Sequence, residues 1–138
     1  MAELKPIATR LAFGEELAEV GGRRGFAGGI PVNTNFCMSN PVARKKFAAY
    51  VATYAEEHRN VDALHVWLSD GINAHCECAA CRQKSPSDWY MDAMNAVDEE
   101  MTARGIDTKI VFIAYVDIVW APEKTFLKNP ERFSKSVG

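Results

Sequence analysis

Two stretches of the chain repeat apolar residues every three to four positions, which is the spacing of one face of an α-helix. The first runs from Pro41 to about His58 and is preceded by Asn40, so that a capping side chain is followed by proline in the first turn. The second opens at Ser85 and stops at Gly105, a residue type that commonly ends helices. The pattern therefore predicts two helices.

Short, continuous apolar runs lie on either side of the second helix. Residues 63–68 (ALHVWL) and 109–115 (KIVFIAY) have the length and the composition of strands buried on both faces. Residues 30–36 are a weaker third candidate, because Pro31 interrupts them. The order strand, helix, strand, helix, strand predicts an α/β fold of βαβαβ units, in which parallel strands are joined by crossovers.

The remaining segments carry little periodicity. Residues 1–29 contain the glycine-rich run GGRRGFAGG and are predicted to form an irregular N-terminal segment. Residues 30–118 are predicted to form the βαβαβ core, and residues 119–138 a tail. A chain of 138 residues fits one domain, and no composition shift marks a linker inside it.

Composition limits the classes of partner. The chain has 16 Lys and Arg residues against 18 Asp and Glu residues, a formal net charge of −2. Because phosphate binding needs a basic surplus, nucleic acid is not expected to be a partner. No stretch approaches the roughly 18 consecutive apolar residues of a membrane helix, so no membrane partner is expected either. The N-terminus lacks the pattern of a secretory signal.

Three of the four cysteines crowd into six residues, Cys76 to Cys81, as CECAAC. Thiolates at this spacing on a tight turn can point at one centre, which is the knuckle geometry that Zn²⁺ favours. The expected ligands are Cys76, Cys78, Cys81 and, from a neighbouring strand end, Cys37, with His75 as the alternative fourth ligand. Four protein ligands would make the zinc structural. A disulfide between Cys78 and Cys81, or four reduced thiols, are the other possibilities.

Two aspartates follow predicted strands, where ligands bind in parallel α/β folds. Asp70 and Asp117 are candidate catalytic residues, because paired carboxylates are the groups that hydrolyse glycosides. Asp70 precedes glycine, however, and Asp-Gly is also a common turn pair. Asn73, Tyr115 and Trp120 are candidate substrate-binding residues, since the aromatic rings can stack on a sugar face or simply pack.

Four motifs in this order resemble a bacterial family catalogued as domain of unknown function 4838. They are CMSNP (37–41), LSDGINAHCECAACR (68–82), SDWYMDAMN (87–95) and IAY (113–115). The family is similar to the (β/α)₈ barrels of glycoside hydrolases. The resemblance covers about residues 15–125 and implies that the motif positions include Cys37, Asp70, Asn73, Tyr115 and the cysteines of 76–81. A full TIM-type barrel needs about 250 residues, so this chain would supply its middle.

These observations leave two hypotheses about function. The chain is either a fragment of a glycoside-hydrolase-like, carbohydrate-active protein with a structural zinc, or a non-catalytic module that binds metal or another protein. In the first case the fragment alone is not expected to be catalytic, because an active site built from eight strand ends would be incomplete. An open sheet cut from a barrel also exposes two edges, which predicts a homo-oligomer that covers them.

Overall fold

The computed structural model describes residues 14–69, 74–114 and 116–137. In this part of the chain the fold is mixed α/β, with two helices and a parallel three-stranded sheet. The elements in chain order are β1 (Glu19–Val20), β2 (Arg23–Arg24), α1 (Pro41–Glu57), β3 (Ala63–His65), α2 (Pro86–Ala103), β4 (Lys109–Ala114) and β5 (Phe133–Val137). None of the helices described here is long and apolar enough to cross a membrane.

Both predicted helices are confirmed, and side chains cap them as the sequence indicates. The Asn40 Oδ1 atom accepts hydrogen bonds from the N–H groups of residues 42 and 43 at 2.9 and 3.2 Å. At the start of α2, Ser85 and Asp88 form a reciprocal capping box. Gly105 follows α2 with φ of 69°, the left-handed conformation that glycine adopts without strain. The apolar faces of the two helices pack against each other and against the sheet.

The main sheet has the strand order β3-β4-β5, with every pair parallel. Leu64 pairs with Ile110, and Ile110 pairs with Phe133, so these three side chains lie on one face of the sheet. On the same face, the Phe112 ring meets the Tyr90 ring of α2 edge-on, with centroids 5.9 Å apart. This side of the sheet therefore faces the helices and forms the core.

The prediction of a strand over residues 30–36 is wrong. Pro31–Asn33 forms a 3₁₀ turn, in which the Thr34 N–H returns to the Pro31 carbonyl at 3.0 Å. Proline favours this turn because its ring fixes φ and it has no N–H to give to a strand ladder. Phe36 makes only a single antiparallel bridge to Leu17. The third strand of the sheet is β5, from the segment predicted to be a tail.

The strand predicted over residues 63–68 is shorter in the structure and ends at His65. Hydrogen bonding continues for one more residue, because the Val66 N–H donates to the Val111 carbonyl at 2.9 Å. Beyond that point the chain leaves the sheet toward the cysteine-rich loop. The segment that leads from β4 to β5 contains no α-helix in its described part and instead runs along α2.

Buried polar side chains of α2 hold this connecting segment in place. Asp88 is buried, and its Oδ1 atom accepts hydrogen bonds from the N–H groups of Glu123, Lys124 and Thr125 at 2.7–2.9 Å. Two turns further along the same face of α2, Asn95 donates to the carbonyl of residue 126 at 2.9 Å and accepts from the N–H of residue 128 at 2.9 Å. These side chains thus satisfy backbone groups of the connection at positions 123–128, where it has no helix or strand of its own.

Residues 14–29, predicted to be irregular, contain a small hairpin. The strands β1 and β2 are antiparallel and are joined by Gly21 and Gly22, whose φ values are 60° and 76°. A two-residue turn with both φ values positive matches the twist of a hairpin, and only glycine adopts it freely. The hairpin lies against the cysteine-rich loop, because the Glu77 N–H donates to the Glu19 carbonyl at 2.7 Å.

Candidate metal centre

Two separate segments supply the four cysteines of the cluster. Cys37 lies in the turn before α1, where its N–H donates to the Glu16 carbonyl at 2.8 Å and its carbonyl accepts from the Asn40 N–H. The other three lie in the loop between β3 and α2, and Cys81 begins a 3₁₀ turn there. Cys37 and Cys81 are buried, whereas Cys76 and Cys78 are partly exposed. The loop thus folds back over the turn that carries Cys37.

The four sulfur atoms converge on one point. All four Sγ atoms lie within 4.8 Å of one another. The Sγ atom of Cys37 is 3.8 Å from that of Cys78 and 3.8 Å from that of Cys81. A disulfide would need about 2.05 Å, and all four cysteines are free. The cluster can hold a metal ion, because two sulfurs bound at about 2.3 Å to one tetrahedral zinc lie about 3.8 Å apart.

The crowded thiols compete for protons. Hydrogen bonds from Cys76 and then Cys81 hold the pKa of the Cys37 thiol far below its ordinary range. The same contact with Cys37 raises the pKa of Cys76 and of Cys81, and burial raises both further. These contacts therefore favour ionisation of Cys37 over that of Cys76 and Cys81. A bound metal ion would replace the thiol protons.

Polar groups around the cluster contact its sulfurs. The Ser39 Oγ atom lies 3.4 Å from the Cys37 sulfur and 3.7 Å from the Cys78 sulfur, and it accepts a hydrogen bond from the Cys81 thiol at 3.1 Å. The backbone N–H of Glu19 donates to the Cys76 sulfur at 3.3 Å. Sequence reasoning missed these contacts. In the sequence, Ser39 was noted only as part of the helix start and as a member of the CMSNP motif, and the hairpin carried no signal of its role.

Arg24 also contacts the cluster and was missed. Its Nη1 atom donates to the Cys76 sulfur at 3.8 Å. Burial lowers the pKa of the Arg24 guanidinium, but hydrogen bonds with Cys37 and Cys78 and the charge of the thiolates outweigh this and raise it. The guanidinium is therefore a permanent positive charge beside the sulfurs.

His75 does not join the sulfur cluster. Its Nε2 atom lies 3.5 Å from the Oδ2 atom of Asp117, and burial lowers the pKa of His75 while the carboxylate opposes that shift. Asp117 lies in a 3₁₀ turn, Val116–Ile118, just beyond β4. Val116 has φ of 50°, a left-handed conformation that is rare for a β-branched residue. The structure thus pairs this candidate catalytic carboxylate with His75.

The other residues predicted for a sugar site divide into two groups. Asp70, Asn73 and Tyr115 lie outside the described residues. Trp120 is described, and its side chain is 76 % exposed. Its carbonyl accepts a hydrogen bond from the Ser87 hydroxyl at 2.6 Å, which fixes the backbone there. The Trp120 ring itself lies on the surface.

An open cleft of about 480 Å³ lies beside the cluster. Apolar side chains of Phe36, Met38 and Trp89 line it, together with the pair of His75 and Asp117. Cys76 and Cys81 also line the cleft, so it reaches the sulfur cluster. The Trp89 indole N–H donates to the Cys81 carbonyl at 2.7 Å, which ties α2 to the cysteine-rich loop.

The fold and the cluster define a small mixed α/β protein with four converging cysteines that can hold a metal ion. Comparison with protein-family models, with curated proteins and with solved structures finds no match. The description of function therefore starts from the geometry of the site.

Proposed function

We propose that the chain binds one Zn²⁺ ion through Cys37, Cys76, Cys78 and Cys81 and that this ion is structural. The convergence of the sulfurs carries the proposal. The separation of 3.8 Å from Cys37 to both Cys78 and Cys81 is the spacing that two thiolates take on one tetrahedral zinc.

The ligand set supports a structural rather than a catalytic ion. Four thiolates fill a tetrahedral site and leave no position for water or substrate. The ion would join the turn before α1, which carries Cys37, to the loop before α2, which carries the other three cysteines. In the residues that the structure describes, neither segment contains more than a short 3₁₀ turn. A metal crosslink at this place would hold the two segments together.

The chemistry of the ligands favours zinc but admits other soft metals. Thiolates select zinc, Cu(I) and iron–sulfur clusters over magnesium or calcium. Metal-free preparation followed by reconstitution with each metal separates these choices. Elemental analysis of untagged protein should give about one zinc per chain, and a chelator should release both the zinc and reactive thiols.

Single substitutions make this test specific to the cluster. Cys37→Ser and Cys78→Ser should each abolish tight zinc binding, because a tetrahedral thiolate site loses one of its four ligands. Ser39→Ala is the comparison, since its hydroxyl contacts the sulfurs without being a proposed ligand; it should still take up about one zinc per chain, although with lower affinity. Wild-type protein that takes up no zinc on reconstitution and keeps four freely titrating thiols would disprove the proposal.

A second candidate concerns the larger protein to which the chain would belong. We propose that the chain is part of a glycoside-hydrolase-like (β/α) barrel, with carbohydrate as its ligand. Parallel strands in consecutive order support this, as does a cleft beside Asp117 at the carboxyl end of β4. The exposed edge strand β3, followed by Trp67 with 52 % exposure, supports self-association of the isolated chain.

This candidate has its own experiments. Asp70→Asn and Asp117→Asn in a protein that includes the whole barrel should each strongly reduce glycoside cleavage. Unchanged turnover in both variants would remove these carboxylates from a glycosidase mechanism.

Light scattering of the isolated chain should show dimers or larger species, and a strictly monomeric protein at high concentration would contradict the proposed self-association.

A further inference from the structure

Arg24 is held beside the cysteine cluster by several groups at once. Its Nη1 atom donates to the Leu17 carbonyl at 2.7 Å and lies 3.4 Å from the Glu15 carbonyl. The same atom reaches the Cys76 sulfur at 3.8 Å, and Nη2 lies 3.6 Å from a carboxylate oxygen of Glu19. A guanidinium fixed by backbone carbonyls cannot swing away, so its charge stays next to the cluster.

The β1–β2 hairpin presents Arg24 to the cluster. The N–H of Gly21 donates to the Glu77 carboxylate at 2.7 Å, and the Glu77 N–H donates to the Glu19 carbonyl at 2.7 Å. These bonds fasten the hairpin to the loop that contains Cys76 and Cys78. Because side chains alternate along a strand, Arg24 faces the loop while its neighbour Arg23 is exposed.

A tetrathiolate zinc site carries a net charge of −2, since four thiolates outweigh one Zn²⁺. Placing that charge in a partly buried site is costly unless a positive group lies nearby. In the described part of the chain, Arg24 is the basic residue whose side chain donates to a cluster sulfur. Arg82 and Arg44 instead donate to the carbonyls of Glu77 and Met38.

We propose that Arg24 is the counter-ion of the metal site: a positioning residue that raises its affinity for zinc by neutralising part of the thiolate charge and donating to Cys76. This inference rests on the proposed zinc function. It assigns to the hairpin, which carries no metal ligand, a part in setting how tightly the metal is held. Groups that contact ligands in this way commonly change metal affinity about 10–100-fold when they are removed.

The experiment compares Arg24→Met with Arg23→Met, a matched control in the same hairpin. Zinc affinity is measured by competition with a chromogenic chelator at fixed pH and salt concentration. Arg24→Met should bind zinc about 10–100-fold more weakly than wild type, and Arg23→Met should bind like wild type. Because it retains the charge, Arg24→Lys should bind zinc more tightly than Arg24→Met, although it loses the planar fork that holds the guanidinium in place.

Cobalt substitution gives a readout that a purely structural role would not move. Removing a positive donor from a sulfur makes the thiolate more electron-rich, so the thiolate-to-cobalt charge-transfer band of Arg24→Met should shift to longer wavelength. The band should stay in place in Arg23→Met. Circular dichroism of each metal-loaded variant verifies that it is folded.

The outcomes separate the two proposals. If wild type binds one zinc and Arg24→Met binds it equally well, the counter-ion role is disproved and the zinc site stands. Suppose that Arg24→Lys binds zinc as weakly as Arg24→Met, and that the cobalt band of Arg24→Met lies at the wild-type wavelength. The charge of Arg24 is then not what sets the affinity, and the inference also fails. If wild type binds no metal, both proposals fall together.

Discussion

Asp98 of α2 and Arg132, just before β5, form a buried ion pair. The Arg132 guanidinium also donates to the Thr108 carbonyl at 2.9 Å and to the Thr102 hydroxyl at 3.1 Å. The Asn129 side-chain amide donates to the same carboxylate oxygen of Asp98 at 3.0 Å. One acidic residue on the helix therefore anchors the chain where it enters the edge strand of the sheet.

Asp98→Ala should strongly destabilise the protein. The substitution leaves the Arg132 charge buried without its partner, and loss of one member of a buried pair costs about 3–5 kcal/mol. The free energy of unfolding, measured by urea denaturation, should fall by that amount.

Glu99→Ala is the matched control for this substitution. Glu99 pairs with Lys128 at 3.2 Å, but both side chains are largely exposed, at 64 % and 73 %. Exposed pairs contribute about 0–1 kcal/mol, so Glu99→Ala should unfold almost like wild type. Equal losses in the two variants would show that the anchor at Arg132 has no special role.

Asp88 should make stability depend on pH in the acid range. Burial raises the pKa of its carboxyl, but hydrogen bonds from the backbone of Lys124 and Thr125 and from Ser85 outweigh this and hold that pKa at about 2. Because the folded pKa lies below the unfolded value near 4, the contribution is complete above pH ~4 and is lost as pH falls toward 2. The shift corresponds to about 2–3 kcal/mol.

Asp88→Asn should flatten the acid part of the stability curve. The variant cannot gain stability by ionising, so its free energy of unfolding should be about 2–3 kcal/mol lower at pH 6 and should converge on wild type near pH 2. Asp107→Asn alters an exposed aspartate and should change stability by less than about 0.5 kcal/mol. A wild-type curve and an Asp88→Asn curve that stay parallel down to pH 2 would contradict this assignment.

The helices and one strand pair could be predicted from the sequence because their signals are local. Caps at Asn40 and Ser85 and the apolar spacing between them specify α1 and α2. The strand β5 was missed because FSKSV is mostly polar, and it becomes a strand only by pairing with β4. The sequence did contain one sign of the segment that leads into β5. Asp88, Asn95 and Asp98, whose side chains bind that segment, form an unexpected polar stripe on one face of α2.

The candidate site was predicted in part. Cys37 was matched to the three clustered cysteines because it was expected at a neighbouring strand end, and the structure does bring it to them. The reason was wrong, because the described residues shortly before Cys37 form a 3₁₀ turn rather than a strand, and a turn places the cysteine there. Arg24 and Ser39 could not be predicted, since contacts between segments far apart in sequence leave no local pattern. Asp70, the other main candidate, lies outside the described residues.

Tyr90→Phe should loosen the junction between β3 and β4. The buried Tyr90 hydroxyl donates to the Val66 carbonyl at 2.7 Å and accepts from the Ile113 N–H at 3.4 Å. Removing it leaves a buried carbonyl unsatisfied, which costs about 1–3 kcal/mol. The measurement is the free energy of unfolding in urea. As the control, Tyr54→Phe removes the hydroxyl of a partly exposed ring and should lower the free energy of unfolding by less than about 0.5 kcal/mol. A similar loss in both variants would contradict the role of the Tyr90 hydroxyl.

Removal of the metal should destabilise the loop and the hairpin together. A ligand that binds only the folded state stabilises it by about 4 kcal/mol when free ligand exceeds its dissociation constant 1,000-fold. A chelator should therefore lower the unfolding midpoint of zinc-loaded protein and increase amide exchange in residues 74–85 and in β1–β2, which are joined through Glu77 and Glu19. Exchange in the interior of α2 should change much less. The chelator should have no effect on Cys78→Ser, which lacks a complete site, and an unchanged midpoint in wild type would show that no structural metal is bound.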